Sequence, residues 1–442
     1  MTRLGTPARL LGPAILILML AATYAMARTW TVRADRSGDV PTVKAALDSA
    51  RAGDTVLVYP GQYEVIGGGV RDYVTLVSWG GRDVTTLYND TEYQTPIIYL
   101  GCNGVVVEGF CFKGMRPTGF SQGIVCYGCD HPTQEPDRII SNRLVNLMSE
   151  DWGGGICVYE PRSVVIADNI FEKCVSYEAG GAIFCGQYDA GEAIFCDQQA
   201  SAVIQGNQFF DCESQFGGAI GCTGASAEIT DNAFVGNRSW KHGGAVWGNF
   251  GASLDVEGNT FSGNQAPSGG GLLVQRSSCG MSYNVFDGNQ ADFGGGIVAG
   301  LDSHVTCELS TFYGNSATEG GAGIYVTDSG VLEARSCILT ACAERSAIEC
   351  VGTVISTLDC NDLWGNWGDY AGCTPGPMDF HEDPLVCSVA AGAHCLRLQD
   401  CSPCVAHAGC GQVGAYGIGC NCGGGPSLVV PATWGAIKSM YK

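Results

Sequence analysis

The side chains best suited by type to do chemistry fall in one irregular stretch. Tyr127-Gly-Cys-Asp130-His131-Pro132 is followed closely by Glu135 and Asp137. An imidazole beside carboxylates in a loop could act as a general base or hold a metal ion. The same stretch also reads as a plain surface loop pinned by a disulfide. Two cysteine pairs, Cys126-x-x-Cys129 and Cys401-x-x-Cys404, have the spacing of zinc ligands. Neither has a second pair at ribbon spacing, so zinc is not assigned. Acids such as Asp168, Asp231 and Glu257 fall at turns and strand edges and read as solvated. No catalytic residue, metal ligand or cofactor is therefore assigned. Calcium is the one ion an acidic chain leaves room for, and no residue pattern calls for it.

The elements that would position these residues are repetitive. One frame is Asn, any residue, Phe, two residues, then Asn or Cys. It carries Phe171, Phe209, Phe234, Phe261, Phe286 and Phe312, with looser copies at Phe112, Leu144, Ile338 and Leu363. From Phe209 onward the steps are 25 to 27 residues. A second frame, a Gly pair or triplet followed by a small and an aliphatic residue, carries Ile156, Ile183, Ile220, Val246, Leu272, Ile297 and Ile324 in constant phase with the first. Short apolar alternations between Gly and Asn turns predict strands. A unit this short cannot bury a face alone, so it must stack on copies of itself. Propeller blades are longer, and a horseshoe needs a Leu-rich consensus. The expected fold is all-β: a right-handed parallel β-helix of about ten coils with three short strands per coil.

Stacking at about 4.8 Å turns each frame into a column. The six Phe should form one buried column, and Asn237, Asn264, Asn289 and Asn315 one ladder of side-chain amides. Cys174 and Cys212 hold the place that later coils give to Asn, so they should stack and form a disulfide. Cys185 or Cys196 is the competing partner. Cys185 and Cys222 share another place and are a second candidate pair. The steps from Phe112 to Leu144 and from Phe171 to Phe209 are longer, 32 and 38 residues, so these coils carry extra loop. The second contains Ala182-Ile-Phe-Cys185 repeated as Ala193-Ile-Phe-Cys196.

The flanks differ from the repeats. Residues 1–27 read as a signal peptide, with Arg3 and Arg9 before an apolar run and Ala25 and Ala27 at the cut. Residues 28–372 are the β-helix, with a capping helix near 41–52. Residues 373–422 are a Cys-rich C-terminal cap, expected as a stapled lid over the last coil. Residues 423–442 are a Gly-rich linker and a terminal tail. Secretion makes disulfides the natural state of the 24 Cys. The whole chain has a net charge of −21, and loss of two Arg and no acid with the signal takes it to −23. Such a surface repels nucleic acid, so none is expected as a partner. No later stretch is long enough to span a membrane.

Two family resemblances sit on these residues. Asp35-x-Ser-Gly-Asp39, Pro41-Thr-Val43, Ala45-Ala-Leu47, Gly53-Asp-Thr-Val56 and Pro60-Gly-x-Tyr63 resemble the first coil of pectate-lyase-like and pectin-esterase-like proteins. The Gly-Gly-Ala-Ile and Phe-x-x-Asn repeats are similar to those of polymorphic outer membrane proteins, and imply a β-helix and surface export. Tyr127 to Pro132 resembles the Tyr-Gly-x-Asp-Pro-His motif of β-helix uronate epimerases, with the His and Pro transposed. That resemblance implies catalytic roles for Asp130 and His131. The leading functional expectation is an exported, non-catalytic β-helix used for adhesion, binding or structure, with carbohydrate or another surface protein as partner. The alternative is a carbohydrate-active enzyme: a polysaccharide lyase, esterase or uronate epimerase.

Overall fold

The computed structural model describes residues 27–91, 95–101, 103–115, 120–127, 135–159, 163–186, 200–388 and 394–422. The signal segment, Asp130, His131, Cys129, Cys196, the second copy of the duplication and the tail lie outside them. Within them the chain winds into a β-helix. Sheet A has 13 parallel strands, and sheets B and C have 12 each. A coil runs from sheet A to B to C: Ser163–Ala167, then Ile170–Glu172, then Ile183–Gly186. The stack has about 12 turns, more than the ten expected. The extra coils are N-terminal, where Tyr63 and Leu87 fill the place of Phe in register with Phe112. A column needs an apolar filler there, not a particular ring, so the Phe frame under-counts.

The columns are the core. Phe171, Phe209, Phe234, Phe261, Phe286 and Phe312 are fully buried. Their successive ring centroids are 4.5 to 4.8 Å apart, the strand spacing itself. Downstream, the partner of Phe312 is Leu339, not Ile338. The reason is Cys337, which takes the Asn place and accepts its neighbour's role by donating its N–H to Asn361 Oδ1 (3.0 Å). Ile338 therefore faces outward. The aliphatic column from Ile156 to Ile324 is continuous in sheet C.

Asn237, Asn264, Asn289 and Asn315 form the expected ladder. Each amide oxygen accepts the side-chain and backbone N–H of the previous Asn at 2.9 to 3.0 Å. A second ladder, Asn142, Asn169, Asn207, Asn232, Asn259 and Asn284, does the same at the corner between sheets A and B. The Gly pairs at the third corner are required twice over. Gly243 has φ +66°, where a Cβ is unfavourable. A Cβ on Gly244 would overlap the carbonyl oxygen of Gly270 in the next coil.

The first layer is closed by helix Val43–Ser49, capped by Thr42 Oγ1 accepting from the Ala45 N–H (3.1 Å) and burying Val43, Ala46 and Leu47. At the other end, Asp379 extends the ladder by accepting from the Asn361 N–H (2.8 Å), and Phe380 pairs with Asp362. The start of the Cys-rich segment thus lies against the last coil. The rest of it turns back and lies on the outward face of sheet B. There Ala415 N–H donates to Thr311 Oγ1 (2.9 Å), and Leu398, Cys404 and Val413 cover Ile338. Val285 is covered in the same way by Leu396 and Ala415. Cys360–Cys410 ties this flank to the stack, and Cys387–Cys420 and Cys401–Cys422 staple it internally. Cys350–Cys373 closes the last coil.

Docking of this flank buries Asp362 completely. Its Oδ1 accepts from Glu382 N–H and its Oδ2 from the Cys404 thiol, both at 3.1 Å. Burial pushes its carboxyl up to about 6. The folded state then holds the proton more tightly than the unfolded chain. Stability from this group is fullest below pH 4 and is lost as pH rises through 6. Asp362→Asn should match the wild type near pH 4 and be more stable at pH 8, by up to about 3 kcal/mol. Denaturation midpoints across pH 4–8 check it; parallel curves for the two proteins would refute it.

Candidate functional site

Of the residues singled out in the sequence, Asp130 and His131 lie outside the described residues, and the structure places only Glu135 and Asp137. Asp137 faces inward in sheet A and is fully buried, and its Oδ1 accepts from the Val105 N–H (2.8 Å). It fastens one coil to the previous one and cannot reach a substrate. Glu135 is exposed on the turn just before it. Asp168 and Asp231 are left-handed turn residues. The expected disulfides Cys174–Cys212 and Cys185–Cys222 are not formed; all four are buried thiols. Cys185 and Cys222 are in-register partners of parallel strands. In that geometry the side chains point the same way, with Cβ atoms near the strand spacing of about 4.8 Å, too far for a disulfide's 3.5–4.5 Å. Cys307 and Cys337 likewise approach as thiols, Sγ to Sγ 3.7 Å. Asp400, Cys401 and Cys422 cluster within 4.8 Å, but the two sulfurs are bonded to each other and offer no thiolates. Cys404 is the buried thiol beside Asp362.

A different feature stands out on the flank between sheets B and C. Among the described residues, six coils carry an extra short strand there. Met148–Ser149, Val175–Ala179, Glu213–Phe216 and Arg238–His242 form one side sheet, and Gln290–Phe293 with Ser316–Gly320 form another. Between them lies the coil of Gln265 to Ser268, held only by isolated bridges. Pro267 explains the break, because it has no N–H for the ladder. Its carbonyl still accepts from Asp292 and Phe293 N–H, both at 3.0 Å.

A groove of about 550 Å³ straddles this break. Arg238, Gln265, Gln290 and Ser316 follow one another in register along it. Ala266, Ala291 and Pro267 make a low floor, and Trp240 forms one end wall. In earlier coils Ser176, Ser214 and Ser239 face inward and bind backbone carbonyls. At the groove Ala266 and Ala317 replace them and need no polar partner. Trp240 is about one-third exposed, and its ring meets that of Tyr177 at 5.8 Å. Phe120 meets Tyr177 in turn at 6.1 Å. Aromatic faces therefore lead into the groove along the axis.

The chemistry of the lining is recognition. It offers two amides, three hydroxyls, one guanidinium, two carboxylates and an aromatic wall. Among the groove's lining side chains the one direct hydrogen bond is Thr318 Oγ1 to Asp292 Oδ1 (3.0 Å). Arg238 and Asp292 lie on different rungs. Nearby, burial, with the Phe216 ring 5.6 Å away, and then the Lys241 charge lower the His242 imidazole below its ordinary range. The sequence alone offered only weak signals for this groove: Pro267 inside a strand position and a bulky Trp240 at an outward one.

Comparison with known proteins agrees with the coil assignment. The family described as right handed beta helix region matches residues 193–363. No curated protein matches. Among solved structures, the chain is similar to the PL6 family alginate lyase AlyGC, with 13% identity over 82% of this chain and 54% of that one, TM-score 0.48. It thus spans about half the length of that protein. A second PL6 alginate lyase, in complex with a trisaccharide, gives 14% identity over 81% of this chain and 89% of that one, TM-score 0.41. The A-module of mannuronan C-5 epimerase AlgE6 from Azotobacter vinelandii gives 13% over 76% and 92%, TM-score 0.27. These likenesses concern the fold alone. By its three parallel sheets and by the family match over residues 193–363, this chain carries a right-handed β-helix region.

Proposed function

We propose that this is an exported or cell-surface β-helix protein that binds a carbohydrate chain without transforming it. The observation that carries the reading is the groove beside Trp240, where in-register amide and hydroxyl side chains face outward next to an aromatic wall. Sugars present hydroxyls to hydrogen-bond and C–H faces to stack, and this lining offers partners for both. The helix supplies rigidity, so the side chains are held in place before a ligand arrives. Export is supported by the charged start and apolar run of residues 1–27. Among the described residues no helix is long and apolar enough to cross a membrane.

Affinity electrophoresis through gels containing single polysaccharides tests the reading. The protein should be retarded by at least one of them. Trp240→Ala should weaken that binding about tenfold, or about 1.4 kcal/mol. It should leave the unfolding midpoint unchanged, because the ring lies outside the core columns. Release of sugar fragments, unsaturated ends or epimerised uronate by the purified protein would overturn the non-catalytic half of the proposal.

A further inference from the structure

Resting on the carbohydrate-binding reading, we infer that the groove selects an uncharged, linear polysaccharide lying parallel to the helix axis. Direction comes from the architecture. The polar side chains that face the groove, Gln265, Gln290 and Ser316, repeat once per coil along the axis. They therefore recur about every 4.8 Å. A chain running along the axis meets a new hydrogen-bonding side chain at each rung. A chain running across it meets one rung and then the corner of the coil. The aromatic faces of Tyr177 and Trp240 lie on the same line and extend the track past the end of the groove.

Charge decides the class of ligand. The groove has one free-standing cation among its lining residues, Arg238, at the Trp240 end. Asp292, on the Gln290 rung, and Glu344 line the same groove, and the Gln265 rung is uncharged. The Arg345 guanidinium, at the far end, donates its Nε–H to the Thr318 carbonyl (2.9 Å). A polyuronate would bring a carboxylate to nearly every rung, find a single cation, and pass two carboxylates. The whole chain, at −21, adds to that repulsion. A polycation would be drawn to the surface generally and would not need this groove. An uncharged chain pays none of these electrostatic penalties. Its binding should depend little on salt, since exposed charges beyond about 8–10 Å are screened anyway and none drives the contact.

The test runs the full-length mature protein through native gels containing galactomannan, mixed-linkage β-glucan, alginate, polygalacturonate or chitosan, at low and high salt, with and without calcium. The expected result is retardation in a neutral gel, unchanged by salt or calcium and lost in Trp240→Ala. Retardation only in alginate or polygalacturonate, above all if calcium is required, overturns this inference and leaves carbohydrate binding standing. Retardation only in chitosan and only at low salt also overturns it, as surface charge. Retardation in none of the gels defeats the binding reading itself. Equal retardation of wild type and Trp240→Ala in the neutral gel places the site elsewhere and refutes the groove.

Discussion

Phe261→Ala is expected to destabilise the protein by about 3–5 kcal/mol, because the ring is fully buried and cannot be replaced by collapse. Phe261 lies between Phe234 and Phe286, at 4.7 and 4.5 Å between centroids. Removing it leaves a void bounded above and below by stacked rings. Those rings are fixed by strands whose spacing is set by backbone hydrogen bonds, so the coils cannot close the gap. Two stacking contacts are lost as well, each worth about 0.5–1.5 kcal/mol beyond burial. Phe261→Leu should recover most of the loss, since Leu144 and Leu339 already hold this place in other coils. Urea denaturation followed by circular dichroism measures it. A loss under 1 kcal/mol for the Ala variant would show that the column is not the core.

Asn264→Leu is the second large effect, and it comes from polar groups, not volume. Asn264 Oδ1 accepts from the N–H and Nδ2 of Asn237. Its own Nδ2 donates to the Phe234 carbonyl (3.0 Å) and to Asn289 Oδ1 (2.9 Å). A Leu side chain removes these partners from groups that water cannot reach, since Asn237, Asn264 and Asn289 are all fully buried. Each stranded group costs about 1–3 kcal/mol. At least two are stranded, so the loss should exceed about 2 kcal/mol. Asn264→Asp keeps the acceptor and loses the donor, and should fall between. Hydrogen exchange adds a local readout: the Asn237 amide should exchange much faster in Asn264→Leu while the N-terminal coils stay protected. Unchanged protection at Asn237 would mean that the ladder does not hold this corner.

These two variants probe the parts of the fold that were legible from residue order. Phe and Asn recur in one frame because every coil must offer the same filler and the same turn fastener at the same height. Where a coil used a substitute, the frame blurred. Cys337 in the Asn place hid the register of Leu339, and Tyr63 and Leu87 hid the first coils. The candidate site was far less legible. Glu135 and Asp137 are two residues apart, yet one is on the surface and the other sealed in sheet A. Alternation along a strand would put both on one face, and they differ because Glu135 lies on the turn before the strand begins at Asp137.

By itself, then, residue order determined the architecture: stacked coils, three sheets, an internal Phe column, Asn ladders and a helix over the first layer. All of these are periodic or local, and each is forced by burial or by the need to satisfy backbone groups. Only the tertiary structure decided the rest. It set the later part of the Cys-rich segment against the side of sheet B, where it covers the outward Ile338 and Val285. It kept Cys185 and Cys222 apart at strand spacing although they hold the same place in successive coils. It also made a groove from Arg238, Gln265, Gln290 and Ser316, which are about one coil apart in sequence and adjacent in space. Outward positions carry no burial constraint, so nothing periodic marks them. Their meaning appears only when the coils are aligned and one of them, at Pro267, fails to complete the ladder.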